Sequence, residues 1–553
     1  MYNFDITKED SFMNLKRRFL CFFVAFVMVV GLSAVCPGAL KAARKESMAI
    51  LNQKVFPIVK KPITLKIFIK KTVNMANPKD ILLFREYEKK TGIKINWISV
   101  DDTSVKEKLA LSLASQDLPD AYMRANISKI DQFRYGAQGL LVDLNKEGLF
   151  KKYAPHAYKF INKYKDVKQS VMYTNGAIYA LPEGVESTAC RVSKKLFINA
   201  AWLKKVGKKA PTTTDELYDV LKAFKEKDPN GNGKADEIPL TASGKISNVT
   251  ICLEGAFGLG NHGVNSESID LDPKTKKIRF IPASPQYKEL LAYMRKLYQE
   301  GLIDQEIFSN NMAQFIGKGM EGLVGTFAAI NNANMPSNHL SEYVGLSSAL
   351  KGPHGDKIWA PMRPHLAATG TFAITSANKY PEATLRWIDY FYTDEGTRLY
   401  YFGVEGKTCK KIAKGKYDWA DSIYEEVKKS KTNFDSVVGK YTPYLGGNNP
   451  AIIKDGLFGG REMEAVSYKA AMDLLPFVPK KIWPFFTYTQ AENDRLVVLK
   501  TDIHGYVNKM MAEFIFGTTP LTEWDNYLKQ LKKMHLDEML RIYQTVYQRY
   551  LKS

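Results

Sequence analysis

The chain has 553 residues, 45% of them hydrophobic and 25% charged, with a formal charge of +21. This composition is that of an ordinary globular chain, not a disordered one, and leaves room for roughly two to four domains. The charge suggests an anionic partner, yet the lysines are dispersed and no arginine-rich block stands out, so a solvated surface is favoured over a nucleic-acid stripe.

Lys16-Arg17-Arg18 precedes an apolar run from Phe19 to Val35, then small residues through Ala43. That order is a charged region, an apolar region and a small-residue end, so residues 1–43 are expected to be a secretory signal peptide. The run is marginal for a membrane span, and an uncleaved anchor is the alternative. Cys36 stands where a lipidated cysteine would. Val35 is too bulky for a good lipobox, so a lipid anchor is not favoured, and cleavage after Ala42 or Ala43 would also release the chain. Residues 1–43 hold five basic and three acidic groups, and their removal leaves about +19. Cys190, Cys252 and Cys409 are sparse and widely spaced, which allows one disulfide at most, and no Cys/His spacing suggests zinc.

Residues 44–61 are expected to be a loose linker. Ile63 to Ile69 alternates as a strand does. Lys79 to Lys90 has helical spacing of Leu82, Leu83 and Tyr87, and Thr91-Gly92 stops it. Ile93 to Ile98 is the next strand, and Lys106 to Ser115 the next helix. This β-α-β-α rhythm argues for a parallel or mixed sheet with flanking helices. Further helices are expected over 213–227, with a capping box from Thr212/Thr213 and Glu216, and over 285–300 and 381–392. Thr371 to Ile374 is strand-like. From about Gln490 to Lys552 a helical pair is expected, divided at Thr518-Thr519-Pro520.

The run Asp228-Pro229-Asn230-Gly231-Asn232-Gly233-Lys234-Ala235-Asp236-Glu237 places side-chain oxygens at loop positions 1, 3, 5, 9 and 10, with glycine at position 6. This is the first part of an EF-hand-like calcium loop, in which alternate residues of a tight turn aim oxygens at one centre. The Lys234 carbonyl can supply position 7. Position 12, the bidentate glutamate of an EF-hand, is Pro239, so Asp236 and Glu237 would close the shell. Structural Ca2+ is therefore expected on Asp228, Asn230, Asn232, Lys234, Asp236 and Glu237. An ordinary Asn/Gly turn is the alternative.

Several short motifs in a fixed order then carry a resemblance. They are Glu88-Lys89-Lys90-Thr91-Gly92-Ile93, Leu113-Ala114-Ser115-Gln116-Asp117-Leu118-Pro119-Asp120, and Ala177-Ile178-Tyr179-Ala180-Leu181-Pro182. After them come Phe197-Ile198-Asn199, Trp202-Leu203, Pro211 to Leu217, the 228–237 loop, Tyr380-Pro381-Glu382-Ala383, and Gly403-Val404-Glu405-Gly406-Lys407. Together they resemble the extracellular solute-binding proteins of ABC importers, family 1, in the branch that includes lipoprotein and alginate-oligosaccharide binders. The resemblance implies an α/β fold of two lobes, type II-like, with hinge strands and extra C-terminal helices. One lobe would hold 62–186 plus about 366–440, and the other 187–365 plus about 441–553. It also implies a binding protein rather than an enzyme, an oligosaccharide cleft closing by a hinge, a membrane permease as partner, and an extracytoplasmic monomer without nucleic acid. The calcium ligands of alginate-binding relatives match the loop position by position. The Leu259-Gly260-Asn261-His262-Gly263 stretch departs from the aromatic often seen there, which puts a saccharide platform at that point in doubt.

Other motifs fail. Gly258 to Gly263 and Gly317 to Gly322 fit G-x-G-x-x-G without the strand and helix that a dinucleotide site needs. Gly403 to Thr408 has two residues between its glycines where a phosphate loop has four. No H-E-x-x-H or G-x-S-x-G occurs, and a carboxylate pair for glycoside hydrolysis is uninformative among 58 acids. Trp202, Trp387 and Trp524 read as core. Trp359, Trp419 and Trp483 lie in irregular segments better suited to a cleft. The expected ligand contacts are Arg191, Trp359, Arg363, Tyr441, Tyr444 and Trp483, because sugar faces pack on aromatic rings and an arginine fork suits an acidic sugar. The reading is capture of an oligosaccharide, acidic or neutral. A secreted polysaccharide-active enzyme, a glycan-docking protein and a binder of peptides or other solutes are the alternatives.

Overall fold

A computed structural model describes residues 47–52, 55–264, 267–336, 338–430, 434–443, 447–455 and 465–552. Residues 1–43, expected to be the signal peptide and to include Cys36, lie outside the described residues, as does Tyr444. The chain divides into Met1–Leu51 and a unit spanning Asn52–Ser553, and the strands and sheets belong to the second.

Strands begin where β-branched residues alternate. The chain lays down β1 (Ile63–Lys71), β2 (Ile93–Asp101), β3 (Ala121–Met123) and β4 (Leu181–Val185), then crosses to β5 (Lys195–Asn199) and β6 (Ile238–Ala242). A hairpin of β7 (Ile269–Leu271) and β8 (Ile278–Phe280) is followed by β9 (Val324–Ala329) and β10 (Tyr343–Gly345). The chain crosses back as β11 (Leu366–Ile374), adds the hairpin β12 (Cys409–Ala413) and β13 (Lys416–Trp419), and ends its strands at β14 (Ile452–Ile453).

Two larger sheets result, ordered β14-β4-β11-β3-β1-β2 and β10-β5-β9-β6. In the first, β1, β2 and β3 are parallel, β11 runs against both β3 and β4, and β4 is parallel to β14. The carboxyl ends of β1 to β4 therefore share one edge. This is the edge where open α/β sheets place ligands. The sheet faces are covered by helices, which is why strands such as β3, β4, β5 and β9 are buried at every position.

Local signals explain the helices. Thr213 accepts the Glu216 N–H at the start of Thr214–Glu226, while the Glu216 carboxylate reaches back to the Thr212 N–H at 2.7 Å, one residue earlier than in the standard box. Ser284 and Pro285 start Pro285–Gln299. Thr489 and Glu492 form a full capping box for Gln490–Phe516, and Gly517 ends it at φ 89°. The expected C-terminal pair is three helices, because the second partner breaks between Trp524–Lys533 and Leu536–Lys552 at His535, whose φ is 65°.

The division of the chain departs from expectation in two places. Residues 58 and 59 are not loose linker: Ile58 and Val59 are buried, and the Ile58 N–H donates to the Thr91 carbonyl at 2.8 Å. These two apolar side chains find cover beside the end of the first helix instead of remaining in solvent. The described residues of 441–453, expected in the second lobe, lie on the first: the Leu83 N–H donates to the Tyr441 carbonyl at 3.2 Å, and Ile452–Ile453 pairs with Gly184–Val185 in the first sheet. No helix among the described residues is long and apolar enough to cross a membrane.

Candidate functional site

The two sheets are joined by neighbouring crossings, β4 to β5 and β10 to β11, that are bonded to each other. The Val185 N–H donates to His365, Ser193 to Pro361 and Arg363 to Arg191, at 2.7–3.0 Å. Side chains extend this hinge. Arg191 donates from Nε to the Arg363 carbonyl at 3.1 Å, and its Nη1 lies 3.0 Å from His365 Nε2. Arginine has only donors, so Nε2 accepts and the imidazole proton sits on Nδ1. Nδ1 donates to Asp166 Oδ2 at 2.9 Å, and the His365 backbone N–H reaches the same oxygen at 2.8 Å. The Tyr164 ring stacks on His365 with centroids 4.0 Å apart. The hinge is thereby fastened to the helix that begins at Lys165.

Beside it, the carboxyl edge of the first sheet ends in buried polar groups. Arg124, at φ 58°, is fully buried and donates to the carbonyls of Pro443 and Gly447, the latter at 3.3 Å. Arg124 and Asn126 both hold positive φ in this turn, a cost that surrounding contacts must offset. Glu183 accepts the Asn448 N–H at 3.0 Å and the Asn449 amide at 3.2 Å. Burial raises its pKa, with Arg363 and Arg124 pulling the other way.

A cavity of about 830 Å³ opens between the lobes, within the range of small-molecule sites. One wall is Asn162 to Lys165, Lys168, Gln169 and Met172 to Thr174. The facing wall is Pro484, Phe486, Thr487, Val546, Arg549 and Tyr550. Tyr173 belongs to a core cluster with Phe68, Tyr122 and Phe133 of the first lobe. Phe486 and Val546 belong to the core cluster of the second lobe. The Phe485 N–H donates to Ser170 Oγ at 2.9 Å, tying the two walls at the base.

Sequence dictates the first wall. The helix Pro155–Lys163 has no side-chain cap of its own, and Asp389 takes the His156 and Ala157 N–H groups at 3.0 and 2.8 Å. Tyr164 is extended, and the helix Lys165–Val171 follows at once. On that helix Lys165, Lys168 and Gln169 fall at i, i+3 and i+4, one face toward the cavity, while Val167, Ser170 and Val171 are buried and Met172 caps the C-terminus. On the second wall Val546, Arg549 and Tyr550 share one face by the same spacing.

The cavity has an aromatic floor and a basic rim. Phe486 meets Trp483 and Tyr550 at ring centroid distances of 5.4 and 5.7 Å. Lys163 pairs with Glu186 at 2.7 Å, and Arg549 with Glu492 through Nη1 at 3.1 Å and a second contact from Nη2. Lys129 lies behind the first wall, over the Tyr173 ring at 4.0 Å and donating to the Ser170 carbonyl. Burial brings its amine down to about 7.

The residues singled out in the sequence do not converge here. Trp359 is fully buried, donating from Nε1 to the Lys194 carbonyl at 3.0 Å, and Trp419 is buried too. Trp483 is also core; it lies behind Phe486, with His262 at 4.4 Å, and does not line the cavity. Irregular chain segments place these indoles inward because so much apolar area is costly to leave in water. Tyr441 donates to Glu426 at 2.6 Å on the first lobe and is not among the lining residues. Arg191 and Arg363 sit in the hinge; burial lowers the pKa of both guanidinium groups. Tyr164, Lys165, Lys168, Phe486, Arg549 and Tyr550 escape a reading of the sequence. Their only signal there is the lysine-rich stretch around Tyr164 and the spacing on the last helix.

The 228–237 loop has the turns expected of it. Asp228 accepts the N–H groups of Gly231, Asn232 and Gly233 at 2.9–3.2 Å, and Asn232 Oδ1 accepts that of Lys234 at 2.8 Å. Asn230 and Asn232 turn their amide groups to Asp236 at 3.1–3.2 Å. Glu237 Oε1 is buried without a hydrogen-bond partner. Burial raises the Glu237 pKa, and the charges of Asp228 and Asp236 add to this. Among the described residues no group of three or more His, Cys, Asp or Glu side chains is arranged to hold a metal. The three carboxylates of the expected set, Asp228, Asp236 and Glu237, are thus not gathered into such a group.

Residues 83–404 match the family model for bacterial extracellular solute-binding proteins. The chain belongs to this family. It is 30% identical over 508 residues to the fructooligosaccharide ABC transporter substrate-binding protein FusA of Streptococcus pneumoniae, covering 90% of this chain and 92% of that protein. It is 25% identical over 344 residues to the polygalacturonan/rhamnogalacturonan-binding protein YtcQ of Bacillus subtilis, covering 60% and 63%. Among solved structures, an EF-hand mutant of S. pneumoniae FusA with fructo-nystose superposes with a TM-score of 0.74 at 27% identity, covering 89% of this chain and all of that one. Alginate-binding protein AlgQ2 without calcium ion gives 0.71 at 25%, covering 90% and 100%. The solute-binding fold read from the sequence is thus the fold of the chain. Members capture solutes outside the cytoplasm for a transporter, and the chain is a binding component rather than an enzyme.

Proposed function

We propose that this chain captures an oligosaccharide in the interlobe cavity and delivers it to the permease of an ABC transporter. The observation that supports this best is the cavity itself: an aromatic floor beside a polar rim, contributed by both lobes and next to a two-stranded hinge. Apolar ring faces suit sugar rings, and rim amides, hydroxyls and cations suit their hydroxyl groups. Ligand that touches both walls stabilises the closed form by its differential affinity for that form. The relatives named for fructooligosaccharide, polygalacturonan and alginate support an oligosaccharide as the solute.

The loop 228–237 is read as the seat of a structural Ca2+. Asp228, Asn230, Asn232, Asp236, Glu237 and the Lys234 carbonyl would hold it, after the two amides turn their oxygens inward. The ion would neutralise three neighbouring carboxylates and supply the partner that Glu237 Oε1 lacks. The expected lobes are retained, with 62–186 and about 366–440 in one and 187–365 with most of 441–553 in the other. Tyr441 and Ile452–Ile453 are reassigned to the first. Export by residues 1–43 and a monomeric state complete the reading.

Calorimetric titration of the exported chain in calcium, against neutral oligosaccharides, uronate oligosaccharides and peptides, tests it. Saturable binding of an oligosaccharide recovered intact is the expected result. Binding confined to peptides would overturn it.

A further inference from the structure

We infer that the solute is anionic, an oligosaccharide carrying uronate or sulfate groups, and that Lys165 and Lys168 are the residues that select it. The inference rests on the reading that the interlobe cavity is the oligosaccharide site. The lining contains Lys163, Lys165, Lys168 and Arg549 and no aspartate or glutamate. Four cations around one cavity would repel one another unless something answers them.

Two are answered from within the chain. Lys163 is held by Glu186, and Arg549 is held by Glu492, which also caps the helix Gln490–Phe516. The remaining nearby carboxylate, Asp166, is turned to the hinge, where it takes both the backbone N–H and the ring of His365. These three carboxylates are therefore spent. Lys165 and Lys168 have no ion pair among the described residues. Both are exposed and lie one turn apart on the helix face that lines the cavity.

That arrangement suits a ligand whose charges repeat along its length. Side chains at i and i+3 stand about 5–6 Å apart at Cβ, the scale of one sugar ring. Lysine ammonium groups on flexible stems can follow anionic groups of varied geometry, where an arginine fork demands one. The Tyr550 and Phe486 rings on the facing wall would take the apolar faces of the same sugars. The charge of about +19 left after loss of residues 1–43 adds long-range attraction for such a ligand.

The test compares three tetrasaccharide probes on the exported chain in calcium: tetragalacturonate, its methyl ester, and a sulfated chondroitin tetrasaccharide. A second protein carries Lys165→Gln and Lys168→Gln, its fold checked by thermal melting. The expected result is binding of an anionic probe roughly tenfold or more tighter than the methyl ester at low salt. This preference should shrink as salt rises and be lost in the double variant, which should weaken the anionic probes far more than the methyl ester. Tetragalacturonate and the sulfated probe separate the two sources of charge. Equal or tighter binding of the uncharged ester overturns the inference and leaves oligosaccharide capture standing. An anionic preference that survives in the double variant overturns the assignment to Lys165 and Lys168. If no probe and no neutral oligosaccharide binds, both this inference and the oligosaccharide reading fall.

Discussion

The interlobe cavity and the 228–237 loop have opposite charge problems. At the cavity, cations outnumber the carboxylates left to answer them, and the surplus lies on one exposed helix face. At the loop, three carboxylates crowd one turn, and a buried oxygen of Glu237 has no partner. The first is open and faces a space wide enough for a chain of sugars. The second is a turn exposed over 231–235, in which Asp228 already takes three backbone N–H groups and only Glu237 Oε1 is buried without a partner. An exposed surplus can select a ligand without costing the fold much, whereas a confined surplus destabilises the fold until it is neutralised. On the proposed reading the cavity would govern binding, and the loop would govern stability.

The largest expected effect tests where that separation blurs. Phe486 belongs both to the cavity floor and to the second-lobe core. Phe486→Ala is expected to cost about 3–5 kcal/mol of stability and to weaken oligosaccharide binding as well. Denaturant melts and titration on the same sample would show both. Loss of binding with unchanged stability would mean that the ring is not core.

The next effect belongs to the loop alone. Calcium at 100 times its dissociation constant should add about 2.7 kcal/mol to the folded state. Chelation should remove this increment, and Glu237→Gln should greatly reduce it. Oligosaccharide affinity at saturating calcium should not change. Thermal melts with and without calcium are the check, and a melt indifferent to calcium would contradict the loop's assignment.

A smaller effect belongs to the rim. Tyr550→Ala is expected to weaken oligosaccharide binding by about 1 kcal/mol, with the melting curve nearly unmoved. Titration against wild type measures it. A large fall in stability would place Tyr550 with Phe486 in the core.

The smallest effect is one of pH. His262 packs behind the floor against Trp483, the rings tilted by 35°. Burial, helped by the charge of Lys481, pushes its imidazole down from 6.5 to about 4. The unfolded chain takes up this proton at higher pH than the folded one. The contribution to stability is thus fully present above pH 6.5 and is lost as pH falls toward 4. His262→Gln should flatten that part of the pH profile of stability, and an unchanged profile would exclude His262 as its source.

Legibility in the sequence follows the same division. The loop is readable because its six expected ligands lie within ten consecutive residues and the spacing itself encodes the turn. The fold is readable because β1, β2 and the helix after β1 carry their periodicity locally. The cavity is not. Its walls come from 162–174, 484–487 and 546–550, and only tertiary packing brings them together. The tryptophans mislead for a physical reason: Trp359 and Trp483 sit in segments without periodicity, so nothing local shows that both are buried. Arg191 belongs to the hinge near the cavity, where Nε and Nη1 donate to Arg363 and His365. A sequence does not reveal which of its cations a fold will leave unanswered.

The most direct test of the central claim is hydrogen exchange of the exported chain with and without a saturating oligosaccharide. The expected result is joint slowing at 162–174 and 546–550, one segment from each wall, together with the hinge at 185–193 and 361–366. Slowing confined to the carboxyl ends of β1 and β9, where Val73 and Ile330 are exposed, with no change at either cavity wall, would contradict it.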